Sequence, residues 1–168
     1  MNNSFENIKY FKLKEFDSPD MYGSGKNMQR RFLLKLDKAR ETANIPFIIT
    51  SGFRTENYNQ ELIDKGYQAV NESAHCIGLA ADIYYSQKNF NIMLNSLIGA
   101  GFKRIGIGKS FFHVDIDDNN RPSPAVWVYD TTPSSIAKLK GKIYNYIKDI
   151  IASKKKLKHF VCWLQEPY

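Results

Sequence analysis

The chain has 168 residues, 43% of them hydrophobic and 24% charged, with a formal net charge of +7. That length supports one domain with its own core and no need of disulfides, and the two cysteines, Cys76 and Cys162, form no C-x-x-C pair. Eight lysines against Asp149 and Glu166 make residues 131–168 basic, whereas the rest is nearly balanced, which argues against a nucleic-acid-reading body and predicts an acidic partner for the tail.

The opening MNNSFENIKYFKLKEF has neither the charged nor the apolar region of a secretory signal, and no apolar stretch approaches the roughly 20 residues of a membrane span. The expectation is synthesis in the cytoplasm without a signal peptide. After this stretch, FDSPDMYGSG reads as turns. KNMQRRFLLKLDKARETAN carries Met28, Phe32, Leu36, Ala39 and Ala43 at steps of four and three, which predicts an amphipathic helix capped by Ser24. Pro46 ends it, and PFIITS is a short apolar strand. TENYNQELIDK predicts a second helix with Gly66 as its stop.

LAADIYY reads as a buried strand on which Asp82 and Tyr84 share a face, since strand side chains repeat every two residues. Ser86 is a plausible cap for a third helix with Phe90, Met93, Leu94, Leu97 and Ile98 on its apolar side. GAGFKRIGIG supplies a stop and a strand, FFHVDI another, NNRPSP a turn-rich connection and AVWVYD a last strand. The order of elements predicts an α+β fold with an antiparallel sheet. Residues 133–168 differ in kind from the body at 1–132. Ile136, Leu139, Ile143, Ile147 and Ile150 or Ile151 recur at helical spacing before a lysine run, as expected for a basic helical extension docked on the body. HFVCWLQEPY closes the chain.

Only three histidines occur, and one of them, His159, lies among the tail lysines. The other two, His75 in SAHCIGLAADIYYS and His113 in FFHVDI, both lie in short apolar segments. Asp82 lies in the same setting, where a carboxylate without a partner is costly. A divalent cation shared by His75, Asp82 and His113 satisfies all three, and a catalytic zinc takes three such ligands with a fourth position open. Gly78 lets the chain turn between His75 and the strand bearing Asp82. Asp115 follows His113 on the same strand face and can reach the same site.

SAHCIGLAAD resembles the S-x-H-x-x-G-x-A-x-D signature of the M15 zinc peptidases, the D-alanyl-D-alanine carboxypeptidase family that includes bacteriophage endolysins and shares its fold with the hedgehog signalling domain. FKLKEFDSPD, ITSGFRT and FFHVDI resemble three further segments of that family in the same order, so the likeness covers roughly residues 10 to 130. It implies His75, Asp82 and His113 as zinc ligands, and Arg54 as the arginine that faces the substrate carbonyl and stabilises the developing oxyanion. It also implies a role for Ser73 in binding substrate, orienting His75 or stabilising the turn. Many members carry an acidic base three residues before the third ligand. Here that position is Ser110, and Asp115 is the candidate for the proton shuttle, with a structural role as its alternative. Cys76 is expected to be a small apolar residue, and Trp127 and Tyr129 core or groove wall.

The resemblance implies hydrolysis of peptidoglycan stem peptides by a phage-type lytic enzyme that reaches the wall after release or in a virion; the charge of the tail, which lies outside the resemblance, predicts binding to anionic wall polymers or lipid surfaces. The alternative is a zinc-bearing wall-binding module or virion component without catalysis, which the missing acid at position 110 favours.

Overall fold

The computed structural model describes residues 5–153, and the lysine run at 154–158 and the HFVCWLQEPY segment lie outside them. Five strands, β1 (Ile48–Ser51), β2 (Ala80–Tyr84), β3 (Arg104–Ile107), β4 (Phe111–Asp115) and β5 (Ala125–Val128), form one sheet in the order β1-β2-β4-β3-β5. The helices are α1 (Arg30–Ala43), α2 (Glu56–Asp64), α3 (Phe90–Gly99), the single turn α4 (Ser134–Ala137) and α5 (Lys140–Ser153).

Strand alternation divides the sheet into two chemically distinct faces. Ala81 and Ile83 of β2, Phe112 and Val114 of β4, Ile105 and Ile107 of β3 and Val126 of β5 join one apolar cluster with α1 and α3. Phe32, Leu33, Leu36 and Ala39 come from α1, and Met93, Leu94 and Leu97 from α3, all completely or almost completely buried. The other face carries Asp82, His113, Asp115, Arg104 and Trp127, so the same period that builds the core lines up the polar site behind it.

Most pairings are antiparallel, as the order of elements predicts, but β5 runs parallel to β3. The reason is the connection. Residues 116–124 turn at the end of β4 where β3 begins, and Ala125 donates its N–H to the Lys103 carbonyl (3.0 Å). A strand that starts there on the open edge of β3 has to run alongside it.

The first helix begins later than its apolar spacing suggests, and Ser24 does not cap it. Met28 is extended (ψ 137°), and Gln29 at the helix N-cap donates its backbone N–H to the Gly78 carbonyl (2.9 Å). Ser24 lies in a separate 3-10 turn and accepts a hydrogen bond from the Ser18 N–H (2.7 Å). For α2, Thr55 caps the start by accepting the Tyr58 N–H (3.0 Å), and Gly66 stops it in a left-handed conformation (φ +79°). Ser86 caps a 3-10 turn that leads into α3.

Of the terminal apolar stripe, Ile143 and Ile147 are buried in the same core as the sheet, Ile136, Leu139 and Ile150 pack on it, and Ile151 is exposed. Among the described residues no helix is long and apolar enough to cross a membrane.

Candidate metal centre

His75, Asp82 and His113 converge from three separate segments. Asp82 and His113 are direct cross-strand partners on β2 and β4, and His75 comes from the loop that precedes β2. The loop returns on itself through Gly78, which has φ +69° and approaches the backbone of Asn27 and Met28 so closely that an added Cβ would lie 2.3 Å from the Asn27 oxygen. Gly78 therefore serves two ends: it supplies a conformation that L side chains avoid, and it seats the loop on the entrance to α1.

His75 Nδ1 lies 2.7 Å from the Gly52 carbonyl oxygen, which can only accept, so Nδ1 carries the proton and Nε2 keeps a lone pair. His113 Nε2 lies 3.1 Å from Asp115 Oδ2, and the same logic leaves a lone pair on His113 Nδ1. Those two nitrogens are 3.2 Å apart, and Asp82 Oδ1 lies 2.9 Å from His113 Nδ1 and 3.4 Å from His75 Nε2. Facing one another at such distances, these atoms repel unless a proton or a metal ion lies among them. Tetrahedral bonds of 2.0–2.1 Å require ligand atoms about 3.3 Å apart, close to the spacing found. The donor set fits a divalent ion.

Each of the three candidate ligands is held from behind. Asp82 divides its oxygens, Oδ1 for the imidazoles and Oδ2 for the Arg54 guanidinium at 2.7 Å. Asp115 Oδ1 accepts from Arg104 Nε (2.6 Å) and from the Asp117 N–H (3.0 Å), while Oδ2 receives His113. The pattern is the carboxylate–histidine support that fixes the tautomer of a metal-binding imidazole. Gly52 is shaped for the same purpose, because a Cβ there would lie 2.4 Å from Phe16 Cα, in the crossing that brings its carbonyl under His75.

Burial alone would raise both carboxylates, but the neighbouring imidazoles bring Asp82 far below its ordinary value, and His113 with Arg104 bring Asp115 down as well. His75 is pushed down by burial against the pull of Asp82. For His113 burial acts downward too, yet hydrogen bonds to Asp115 and Asp82 raise it to about 8.

Each sequence-predicted residue can now be placed. Arg54 lies beside the centre, its Nε bonded to Ser51 Oγ (2.8 Å) and its Nη2 to Asp82, and lines the same cavity of about 1000 Å³ as the three ligands. Ser73 also lines the cavity, and its Oγ accepts the His75 backbone N–H at 3.3 Å, so it shapes the turn that carries the ligand. Asp115 shares the face of His113 but sits at the edge of the imidazole turned away from the cluster, with both oxygens engaged. In this geometry Asp115 orients the His113 imidazole and neutralises Arg104. Ser110 is exposed on the turn between β3 and β4, and its carbonyl takes the Tyr85 N–H (2.8 Å). Cys76 is half-buried, with its thiol pushed up by burial.

Residues 10–117 match the Peptidase M15 family. The chain belongs to that family. The match ends just past the third ligand and its carboxylate support, so β5 and α5 lie beyond it. No curated relative matches the chain. Membership makes the His75–Asp82–His113 cluster the candidate metal site of a metallopeptidase and a peptide its substrate.

Sequence reasoning missed two partners of this centre. Arg104 reads in the sequence only as part of a strand, although an arginine in an otherwise apolar run signals a buried anion opposite. The Gly52 carbonyl has no side-chain signature. The alternation of Gly106 and Gly108 in RIGIG was a usable signal too, because glycine inside a strand marks a place where something else comes close. Here a Cβ on Gly106 would lie 2.6 Å from the Trp127 ring, and one on Gly108 would lie 2.1 Å from that of Phe111.

Proposed function

We propose that this chain is a zinc-dependent peptidase that hydrolyses peptide bonds in the stem peptides of peptidoglycan. The observation that carries the reading is the convergence of two lone-pair imidazole nitrogens and one carboxylate oxygen, each braced from behind, at the wall of a large open cavity. Two histidines and a carboxylate are a set that zinc takes at catalytic sites. Bound there, zinc supplies Lewis acidity toward a carbonyl oxygen and acidifies a water.

The chain's own residues hold the ion, orient its ligands and face the substrate. His75, Asp82 and His113 would hold the ion, and Gly52 and Asp115 keep the two imidazoles in the tautomers that face it. Arg54, fixed by Ser51 and Asp82, presents a guanidinium where the carbonyl oxygen of a bound peptide develops charge. The D-alanyl bond as target, and a phage-type route to the wall, rest on the family likeness. The test is mass spectrometry of muropeptides after digestion of purified sacculi. Cleaved stem peptides with zinc, and none after chelation and removal of the metal, are the expected result. Zinc bound without any cleavage would instead make the chain a wall-binding module. Ser110, the position whose missing acid favours that second reading, stands on an exposed turn outside the cavity lining.

The basic tail belongs to this proposal as the element that holds anionic wall polymer. Truncation has to spare α5, because Ile143 and Ile147 are core residues. Removing residues 154–168 takes away four lysines and one glutamate. Sacculus binding should weaken most at low salt, while cleavage of soluble peptides is unchanged. Equal sedimentation with sacculi at low salt for both forms refutes the role.

A further inference from the structure

Beyond the family match, β5 and the residue that follows it bring two aromatic residues, Trp127 and Tyr129, onto the polar face of the sheet. Asp82, His113, Gly106 and Trp127 are successive cross-strand partners, so a single row runs from the metal centre to the edge strand. Gly106, lacking a side chain, lets the Trp127 ring lie across β3 to reach His113, with ring centroids 5.3 Å apart. Arg104 lies over the same indole at 5.4 Å. Two residues on, Tyr129 is fixed by its main chain, donating its N–H to the Ile107 carbonyl (3.0 Å) and accepting from the Thr132 N–H (2.9 Å). Its ring packs on Phe111 at 5.1 Å, in the space kept open by Gly108.

We propose that the Tyr129 hydroxyl is a second hydrogen-bond donor to oxygen ligands at the metal centre, approaching from the β5 side of the sheet while Arg54 approaches from the β1 side. This rests on the metallopeptidase reading and adds to it a substrate contact outside the matched region. Tyr129 lines the same cavity as the three ligands and Arg54. Its phenol feels the charges of Asp82, Arg54 and Asp115, which places it in the field of the centre. Burial, aided by Asp82, pushes the phenol up to about 12, so the proton stays on and the group donates throughout the neutral range. The natural recipient is an acceptor oxygen of the peptide: the scissile carbonyl or a terminal carboxylate.

The test uses the zinc-loaded protein and acetohydroxamate, a small oxyanion ligand for zinc, with calorimetry as readout. Tyr129→Phe should weaken acetohydroxamate binding about tenfold or more, the size expected for a hydrogen bond to a charged group. Zinc affinity, measured by competition with a chelator, should stay unchanged. Tyr84→Phe, an exposed tyrosine on the polar face of β2, should alter neither. With a soluble stem peptide, Tyr129→Phe should lower kcat more than it raises KM. Equal acetohydroxamate affinity in wild type and Tyr129→Phe overturns the inference, as does a wild-type protein that takes zinc but no acetohydroxamate. A drop in zinc affinity in Tyr129→Phe also overturns it, because the residue would then be shaping the site instead of contacting the ligand. Tyr129-dependent acetohydroxamate binding in a protein that cleaves no peptide would leave this inference standing and remove the peptidase reading.

Discussion

His113→Ala should abolish peptide hydrolysis, with a loss on the order of 10⁶-fold, the low end of enzymatic rate enhancement, and should reduce metal binding to the level of a non-specific site. His113 is the hub of the cluster. Its Nδ1 lies 3.2 Å from His75 Nε2 and 2.9 Å from Asp82 Oδ1, so its removal leaves one imidazole and one carboxylate, too few to hold a catalytic ion. The measurement is metal content after dialysis, alongside the muropeptide assay. Wild-type metal content in His113→Ala would show that the ion sits elsewhere. The same residue sets a pH dependence. In the metal-free protein, Asp115 and Asp82 overcome the effect of burial and raise His113 to about 8, so its protonated form is favoured in the fold. That contribution to stability is fully present below the ordinary imidazole value and is lost as pH rises through about 8. A metal must displace that proton, so zinc affinity should climb from pH 6 to about 8 and then level, with a proton released on binding at the acid end. A flat affinity over that range would mean that His113 is not a ligand.

What could be read from the sequence, and what could not, follows from how far each interaction reaches along the chain. The strands bearing Asp82 and His113 were legible because alternation is local, and the glycine of the motif was legible because its backbone requirement is local. The start of α1 was not. Met28 continues the apolar stripe, but the Gly78 carbonyl, 49 residues away, takes the N–H of Gln29 and holds the preceding residue extended. The parallel placement of β5 was hidden for a related reason: a turn-rich connection does not reveal to which edge it returns. Asp115 shows the limit most clearly. Strand geometry placed it on the face of His113, but which edge of the imidazole it meets depends on Arg104, eleven residues upstream on the neighbouring strand, and on the Asp117 N–H. Sequence spacing established the company that Asp115 keeps and left its task open.

That task is decided by separating metal affinity from turnover. Asp115→Ala should weaken zinc binding about 10- to 100-fold, the usual cost of removing the carboxylate behind a ligand imidazole. It should also destabilise the fold by about 3–5 kcal/mol, because Arg104, with only 6% of its surface exposed, loses the carboxylate that neutralises it. The two effects have different origins and can be pulled apart. Arg104→Met combined with Asp115→Leu removes both charges, so much of the lost stability should return. Zinc affinity should remain low, since His113 Nε2 still lacks the acceptor that fixes its tautomer. Chemical denaturation of the metal-free proteins reads the first effect and chelator competition reads the second. Were Asp115 the proton shuttle, Asp115→Ala would bind zinc like the wild type and lose only kcat. Were it solely the counter-ion of Arg104, the double variant would regain metal affinity together with stability. Only an orienting carboxylate leaves a stable double variant with a poorly held ion.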